Sequence, residues 1–283
     1  MALRKNLELL LGRIVYGDGY ADLGKQVSFT DDYIFYSVME DPDNCREFLE
    51  RVLNIKVAEL KYVTGQKSIR NRKLARGIRL DVYVRDMDGN SYDIEMQTTT
   101  EKNIAKRIRY YHSEMDGYQI RKGESYDKLK KNIVIFVCTY DPFDDNKSVY
   151  TFKKTCVENT NLALEDETIS IILNSEGSRE GITNELSNVL DYIKTGESKD
   201  DYTMRLLEKV RQLNDDWDWR DRQMTLRMKL KEQYEAGRDF AKTEANITAV
   251  VKMLKLGIPE DTVQTEYPNE FEEGKKRYRE QNK

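Results

Sequence analysis

Residues 132–139 read Asn-Ile-Val-Ile-Phe-Val-Cys-Thr, with six apolar side chains in unbroken succession. A strand with one wet face alternates apolar and polar residues. An unbroken run of this length suits a strand covered on both faces. Covering both faces takes helices on either side of a sheet, and the flanking sequence supplies them.

Phe29-Thr30 opens a helix in which Thr30 is the expected N-cap, with Asp31 and Asp32 in the first turn, where the helix dipole favours acids. Its apolar face is Ile34, Phe35 and Val38. Pro42 opens a second helix carrying Phe48, Leu49, Val52 and Leu53 at helical spacing. Residues 78–98 read as a β-hairpin. Leu80, Val82 and Val84 alternate with Asp81, Tyr83 and Arg85, and Ile94 and Met96 alternate with Asp93, Glu95 and Gln97. Met87-Asp88-Gly89-Asn90 is the turn between them. A helix over 101–122 places Ile104, Ile108, Tyr111 and Tyr118 on one side. Strand-like runs follow at Val149–Cys156 and Thr168–Leu173, then a helix over 180–195. The order predicts an α/β core, a sheet flanked by helices. The expected divisions are a lead-in over 1–28, a domain over 29–200 with its core at 29–145, and a charged helical C-terminal region over 201–283. In that last region a charged helix is expected to precede an amphipathic one ending at Gly257-Ile258-Pro259.

The hairpin carries the chemistry. Side chains alternate along a strand, so Asp93, Glu95 and Gln97 share one face. Register must pair the apolar sets, and an odd-length loop around Gly89 does this. It puts Asp81 beside Glu95 or Gln97, so that two carboxylates and a carboxamide converge. Oxygen ligands on a rigid sheet are what Mg²⁺ needs, with Mn²⁺ as the alternative ion. Taken alone, Asp81 followed after thirteen residues by Glu95-Met96-Gln97 also describes the solvated face of any hairpin.

Basic residues surround the pattern. From Leu60 to Leu80 there is no acid, but Lys61, Lys67, Arg70, Arg72, Lys73, Arg76 and Arg79 lead into Asp81. Such a cluster counters phosphates, or it is a solvated loop balancing an acid-rich remainder. Lys102, Lys106, Arg107 and Arg109 follow close behind Gln97. Net charge is −4, so a nucleic-acid partner would be met by a local basic surface rather than by global charge.

Several segments in order resemble a known family. They are FTDDYIFYSVMED, LDVYVRD…YDIEMQ, KRIRYYHSEMDGYQIRKGESYDKLK, NIVIFVCTYDPF, YTFKKTCVENTNLALEDETISIILNSEG, ELSNVLDYIKTG and RQMTLRMKLKEQYEAG. Together they resemble the PD-(D/E)XK nuclease family transposases, also called recombination-promoting nucleases, over roughly residues 25–240. The resemblance implies a restriction-endonuclease-like core and Mg²⁺-dependent cleavage of DNA. It implies that Asp81 and Glu95 bind the metal, helped by the Met96 backbone carbonyl. The third position, Lys in the superfamily pattern, is Gln97 here; Gln orients water by hydrogen bonds but adds no charge. Asp32, with Glu40 as the alternative, stands where such sites can take a further acid. Arg107 and Tyr111 match the family's Arg and Tyr on the following helix, and Arg107 reads as a phosphate or structural contact. The DNA-contact set is Arg72, Lys73, Arg76, Arg79, Lys106 and Arg107. A rival reading is a catalytically silent DNA-binding or protein-interaction module that keeps the fold.

Other residues exclude other classes. His112 is the lone histidine and reads as a packed or surface residue; Cys138 lies in an apolar strand and reads as core. Cys45, Cys138 and Cys156 form no CxxC pair, so neither a zinc knuckle nor a disulfide framework is indicated. No GxxxxGK[ST] loop occurs, so no nucleotide cofactor is expected. MALRKNLELLLGRIV is broken by Glu8 and Arg13 and lacks a signal-peptide pattern. No run reaches the roughly 18–20 apolar residues of a membrane span. The expectation is a soluble, cytoplasmic protein that self-associates, if at all, through its near-neutral C-terminal helices.

Overall fold

The computed structural model describes residues 26–62, 68–69, 78–79, 81–100 and 102–281. The chain divides into two compact units, one up to Trp217 and one from Asp218.

The first unit opens with α1 (Asp32–Met39) and α2 (Pro42–Leu53). The N-cap of α1 is Asp31 rather than Thr30: its carboxylate accepts from Tyr33 N at 3.1 Å and Ile34 N at 3.3 Å. A charged acceptor that reaches two free amides outcompetes the neighbouring hydroxyl, and Thr30 Oγ1 pairs with Ser28 Oγ instead. Pro42 stands at the first position of α2, as the sequence predicts, and Asp41 caps the helix, accepting from Asp43 N and Asn44 N.

The strands are β1 (Leu60–Tyr62), β2 (Ser68–Ile69), β3 (Ile78–Arg79), β4 (Val82–Asp86), β5 (Ser91–Gln97), β6 (Asn132–Cys138), β7 (Val149–Phe152) and β8 (Thr168–Asn174). Six form one mixed sheet in the order β1-β4-β5-β6-β8-β7, and β2 and β3 pair separately. β6 runs parallel to both neighbours, β5 and β8, and every residue in it is buried. This is the doubly covered strand that its apolar run predicts. The sequence had marked the region of β1 and β2 only as a basic cluster, and had placed Ile78 and Arg79 at the start of the hairpin, whereas they form β3 and pair with β2.

α3 (Ile104–Gln119) lies on one face of the sheet. Its Ile104, Ile108, Tyr111 and Met115 form a core with Tyr83, Val134, Phe136, Cys138 and Ile172. On the opposite face Val82, Val84, Tyr92, Ile94, Ile133, Ile135, Val137 and Leu173 are buried as well. A second helical layer consists of α1, α2, α4 (Asn184–Thr195) and α5 (Asp201–Asp215), joined to the sheet where α2 meets β1. The architecture is the α/β sandwich of the restriction-endonuclease type.

The second unit is helical: α6 (Trp217–Lys255) from its second residue on, α7 (Glu260–Glu266) and α8 (Phe271–Gln281). Val250, Leu254, Val263 and Phe271 form its core. The charged and amphipathic helices predicted separately are one continuous helix. Gly237 is too weak a breaker to divide it, costing about 1 kcal/mol relative to Ala, and no proline lies within it. α6 ends where predicted: Gly257 has φ 76°, its N–H donates to Leu254 O, and Ile258 N donates to Met253 O. This double bond pattern is a Schellman cap.

Candidate active site

The β4–β5 hairpin sets the site. Met87, Asp88 and Gly89 form its loop, with Gly89 at φ 90°, and Asp86 N donates to Asn90 O at 3.0 Å. The Asp86 carboxylate closes the turn by accepting from Asn90 N, Asn90 Nδ2 and the Tyr92 hydroxyl at 2.8–2.9 Å. The odd loop pairs Val82 with Ile94 and Tyr83 with Asp93. One step further on, Asp81 stands opposite Glu95, and the contacts cross. Asp81 N donates to Glu95 Oε1 at 3.0 Å, and Met96 N donates to Asp81 Oδ2 at 3.3 Å. Each acid is held by the backbone of the other's strand.

α3 closes the site from above. Arg107 donates from Nη1 to Gln97 Oε1 at 2.6 Å, and from Nη2 to Glu95 Oε2 at 3.3 Å and to the Tyr111 hydroxyl at 3.1 Å. Its guanidinium carbon lies 5.1 Å from the centre of the Phe136 ring, within cation–π range. Gln97 is fixed at its other end, where Nε2 donates to Thr99 O at 2.8 Å and Thr99 Oγ1 at 3.3 Å. Arg107 and Tyr111 sit one helical turn apart, so both reach the same carboxylate.

The acids are deeply placed. Asp93 is 0% exposed, Glu95 3% and Gln97 6%, while Asp81 is half-buried. Burial, and next the charge of Asp81, pushes Glu95 up to about 8; the Asp81 amide, Arg107 and Tyr111 oppose this. Burial, then Glu95 and Asp81, drives Asp93 well above the usual carboxylate range. Neither oxygen of Asp93 has a hydrogen-bond partner among the described residues. Burial and the charge of Glu95 likewise raise the Tyr111 phenol.

These donors suit a hard divalent cation. They are oxygens from two facing acids, with a further unpartnered carboxylate behind, where added positive charge would be stabilised. Among the described residues no three Asp, Glu, His or Cys side chains stand close enough together to ring an ion. A cation at Asp81 and Glu95 would therefore complete its shell with backbone oxygen and water, as Mg²⁺ commonly does.

The sequence matches the family described as PD-(D/E)XK nuclease family transposase over residues 30–248. The chain belongs to this family. Searches of curated proteins and of solved structures give no match.

For a PD-(D/E)XK nuclease family transposase, the placement of the remaining expected residues is informative. Asp81, Glu95, Gln97 and Arg107 come together. Asp32 is exposed in the first turn of α1 and is not among the groups acting most strongly on Asp93 or Glu95. Glu40 is exposed and accepts from the Tyr36 hydroxyl. Lys106 is exposed on α3, next to Arg107. Arg72, Lys73 and Arg76 lie outside the described residues, and Arg79 lies in β3, paired through the backbone with Ser68. His112 is half-buried between Asn132 Oδ1 and Ser170 Oγ, each 2.9 Å away, and burial lowers its pKa. It ties α3 to β6 and β8. Cys138 is core, its thiol pushed up to about 12 by burial. Among the described residues no helix is long and apolar enough to cross a membrane.

Two contributors escape a reading of the sequence: Thr99, which orients Gln97, and Asp93, which alternation places on the right face without showing that α3 seals it.

Proposed function

We propose that this chain is a divalent-metal-dependent endonuclease that hydrolyses DNA phosphodiester bonds, with Mg²⁺ as the ion and Mn²⁺ as a substitute, and that it acts in recombination or with a mobile element. One observation carries the reading: Asp81 and Glu95 face each other across the hairpin with Arg107 bonded to the second acid.

Asp81, Glu95 and the Met96 carbonyl would hold the cation. Bound there, it would polarise a phosphoryl oxygen and lower the pKa of an attacking water. The protein's own groups do the rest. Glu95 stays oriented through the Asp81 amide, Arg107 and Tyr111. Gln97 Oε1 has two lone pairs; Arg107 takes one, and the other serves to position water. The positive charge that Lys would bring at position 97 comes instead from Arg107 on α3, beside the phosphate that accumulates negative charge during attack. Lys106 and the basic residues of 61–79 hold the phosphate backbone.

The test is nicking of supercoiled plasmid by purified protein with Mg²⁺, with Mn²⁺ and with EDTA, beside Glu95→Ala. Metal-dependent nicking that disappears in the variant is expected. Asp81→Ala should likewise abolish cleavage while retaining DNA binding. Nicking that persists in both variants sinks the assignment. No nicking by the wild type under any condition favours a silent DNA-binding module, and cleavage of RNA alone changes the substrate.

A further inference from the structure

Asp93 is a problem that the proposed reaction leaves unsolved. Its cross-strand neighbours on the same face are Tyr83 on one side and Val134 on the other. Both belong to the core beneath α3, with Tyr111 and Met115. A carboxyl group in such a place costs free energy unless its oxygens find partners, yet neither oxygen has one among the described residues. A buried group left so calls for a water or an ion as its missing partner.

The geometry indicates which. Asp93 and Glu95 are two residues apart on one strand, so their Cβ atoms are separated by about 6.6 Å. A metal–oxygen bond of about 2.1 Å followed by a hydrogen bond of about 2.8 Å spans about 5 Å. At that spacing one water carried by an ion at Glu95 has the reach to meet Asp93.

We propose that Asp93 is an outer carboxylate of the cation site, accepting hydrogen bonds from water carried by a divalent ion held at Asp81 and Glu95. This rests on the metal-dependent reading above. Asp93 touches neither substrate nor ion; it is a positioning residue that fixes the ion's hydration.

The experiment is Mn²⁺ titration of the full chain, followed by electron paramagnetic resonance of free Mn²⁺, with thermal melting of the same samples in EDTA. The variants are Asp93→Asn, nearly isosteric and uncharged, and Asp93→Ser, smaller and able to hold a water. Loss of an outer-shell partner typically costs about 10- to 100-fold in metal affinity, and that loss is expected in whichever variant folds. Melting in EDTA should be unchanged or raised, because an unpartnered acid has been removed. Mn²⁺ affinity within twofold of wild type, or an EDTA melting point that falls while affinity holds, overturns the proposal. Wild type that takes up no Mn²⁺ overturns the metal-dependent reading and this inference with it. Wild-type binding lost in Glu95→Ala but intact in the Asp93 variants overturns this inference alone.

Discussion

Arg107 donates to Gln97 Oε1 at 2.6 Å, the shortest link in a chain that runs from Thr99 through Gln97 and Arg107 to Glu95 and Tyr111. The planar guanidinium bridges three acceptors at once, which the point charge of a lysine cannot copy. Arg107→Ala should therefore lower the cleavage rate by about 10²–10³-fold, the usual cost of removing one positioned donor. Arg107→Lys should recover only a minor part of it. Single-turnover nicking rates, with circular dichroism to verify folding, test this; a lysine variant of wild-type rate would reduce Arg107 to a bare charge.

The raised pKa of Glu95 has a defined sign. Its ordinary value is 4.5, and burial with the Asp81 charge lifts it to about 8 in the folded chain. The folded state then holds the proton more tightly than the unfolded state, so this stabilisation is complete below about 4.5 and is lost as pH rises through about 8. In EDTA the melting temperature should fall across that window, and Glu95→Gln should flatten the fall. Divalent-ion affinity should rise over the same interval, since the ion competes with the proton. An identical pH slope in wild type and variant would count against the burial of this acid.

The hairpin was legible because two local signals agree. Gly89 permits the left-handed turn, and the odd loop is the one that keeps Val82 and Ile94 on a common face. β6 was legible from its unbroken apolar run. What the sequence could not show is which polar faces are covered. Asp93 alternates like a solvated acid, and only the packing of α3 makes it buried. The Gln97–Arg107 bond joins a strand to a helix, so no strand or helix period reveals it. β1 escaped notice because three residues, Leu60-Lys61-Tyr62, are too few to display alternation.

Outside the site, Asp200 ties three helices together. Its carboxylate caps α5 through Thr203 N at 2.9 Å and also accepts from Arg51 at 2.6 Å and Asn188 at 3.0 Å. Burial works against its charge, but Arg51 and the amide bonds win and pull its pKa below the ordinary 3.8. That stabilisation is present above the ordinary value and lost as pH falls through the lowered one. Asp200→Ala should cost about 2.5–4 kcal/mol, from about 1 for the cap and about 1.5–3 for the charged hydrogen bonds. Urea denaturation at neutral pH measures it, and the deficit should shrink in acid. A loss below about 0.5 kcal/mol would mean that these groups are held apart in solution.

In the helical C-terminal unit Gly274 packs closely against Val250. A Cβ placed on Gly274 would lie 2.4 Å from Val250 Cγ1 and 2.6 Å from Val250 Cβ. Glycine in a helix normally costs stability, and Ala would recover about 1 kcal/mol. Here the overlap, worth about 1–3 kcal/mol of overpacking, outweighs that gain. Gly274→Ala should speed amide exchange at Val250, Leu254 and Phe271, the core of that unit. Val250→Ala should do the same by leaving a cavity. The double variant should be less perturbed than the sum of the two, because losing Val250 Cγ1 removes the 2.4 Å overlap and leaves only the 2.6 Å approach of the Cβ at position 250 to be absorbed by a shift. Additive losses would show that α6 and α8 do not meet through this pair.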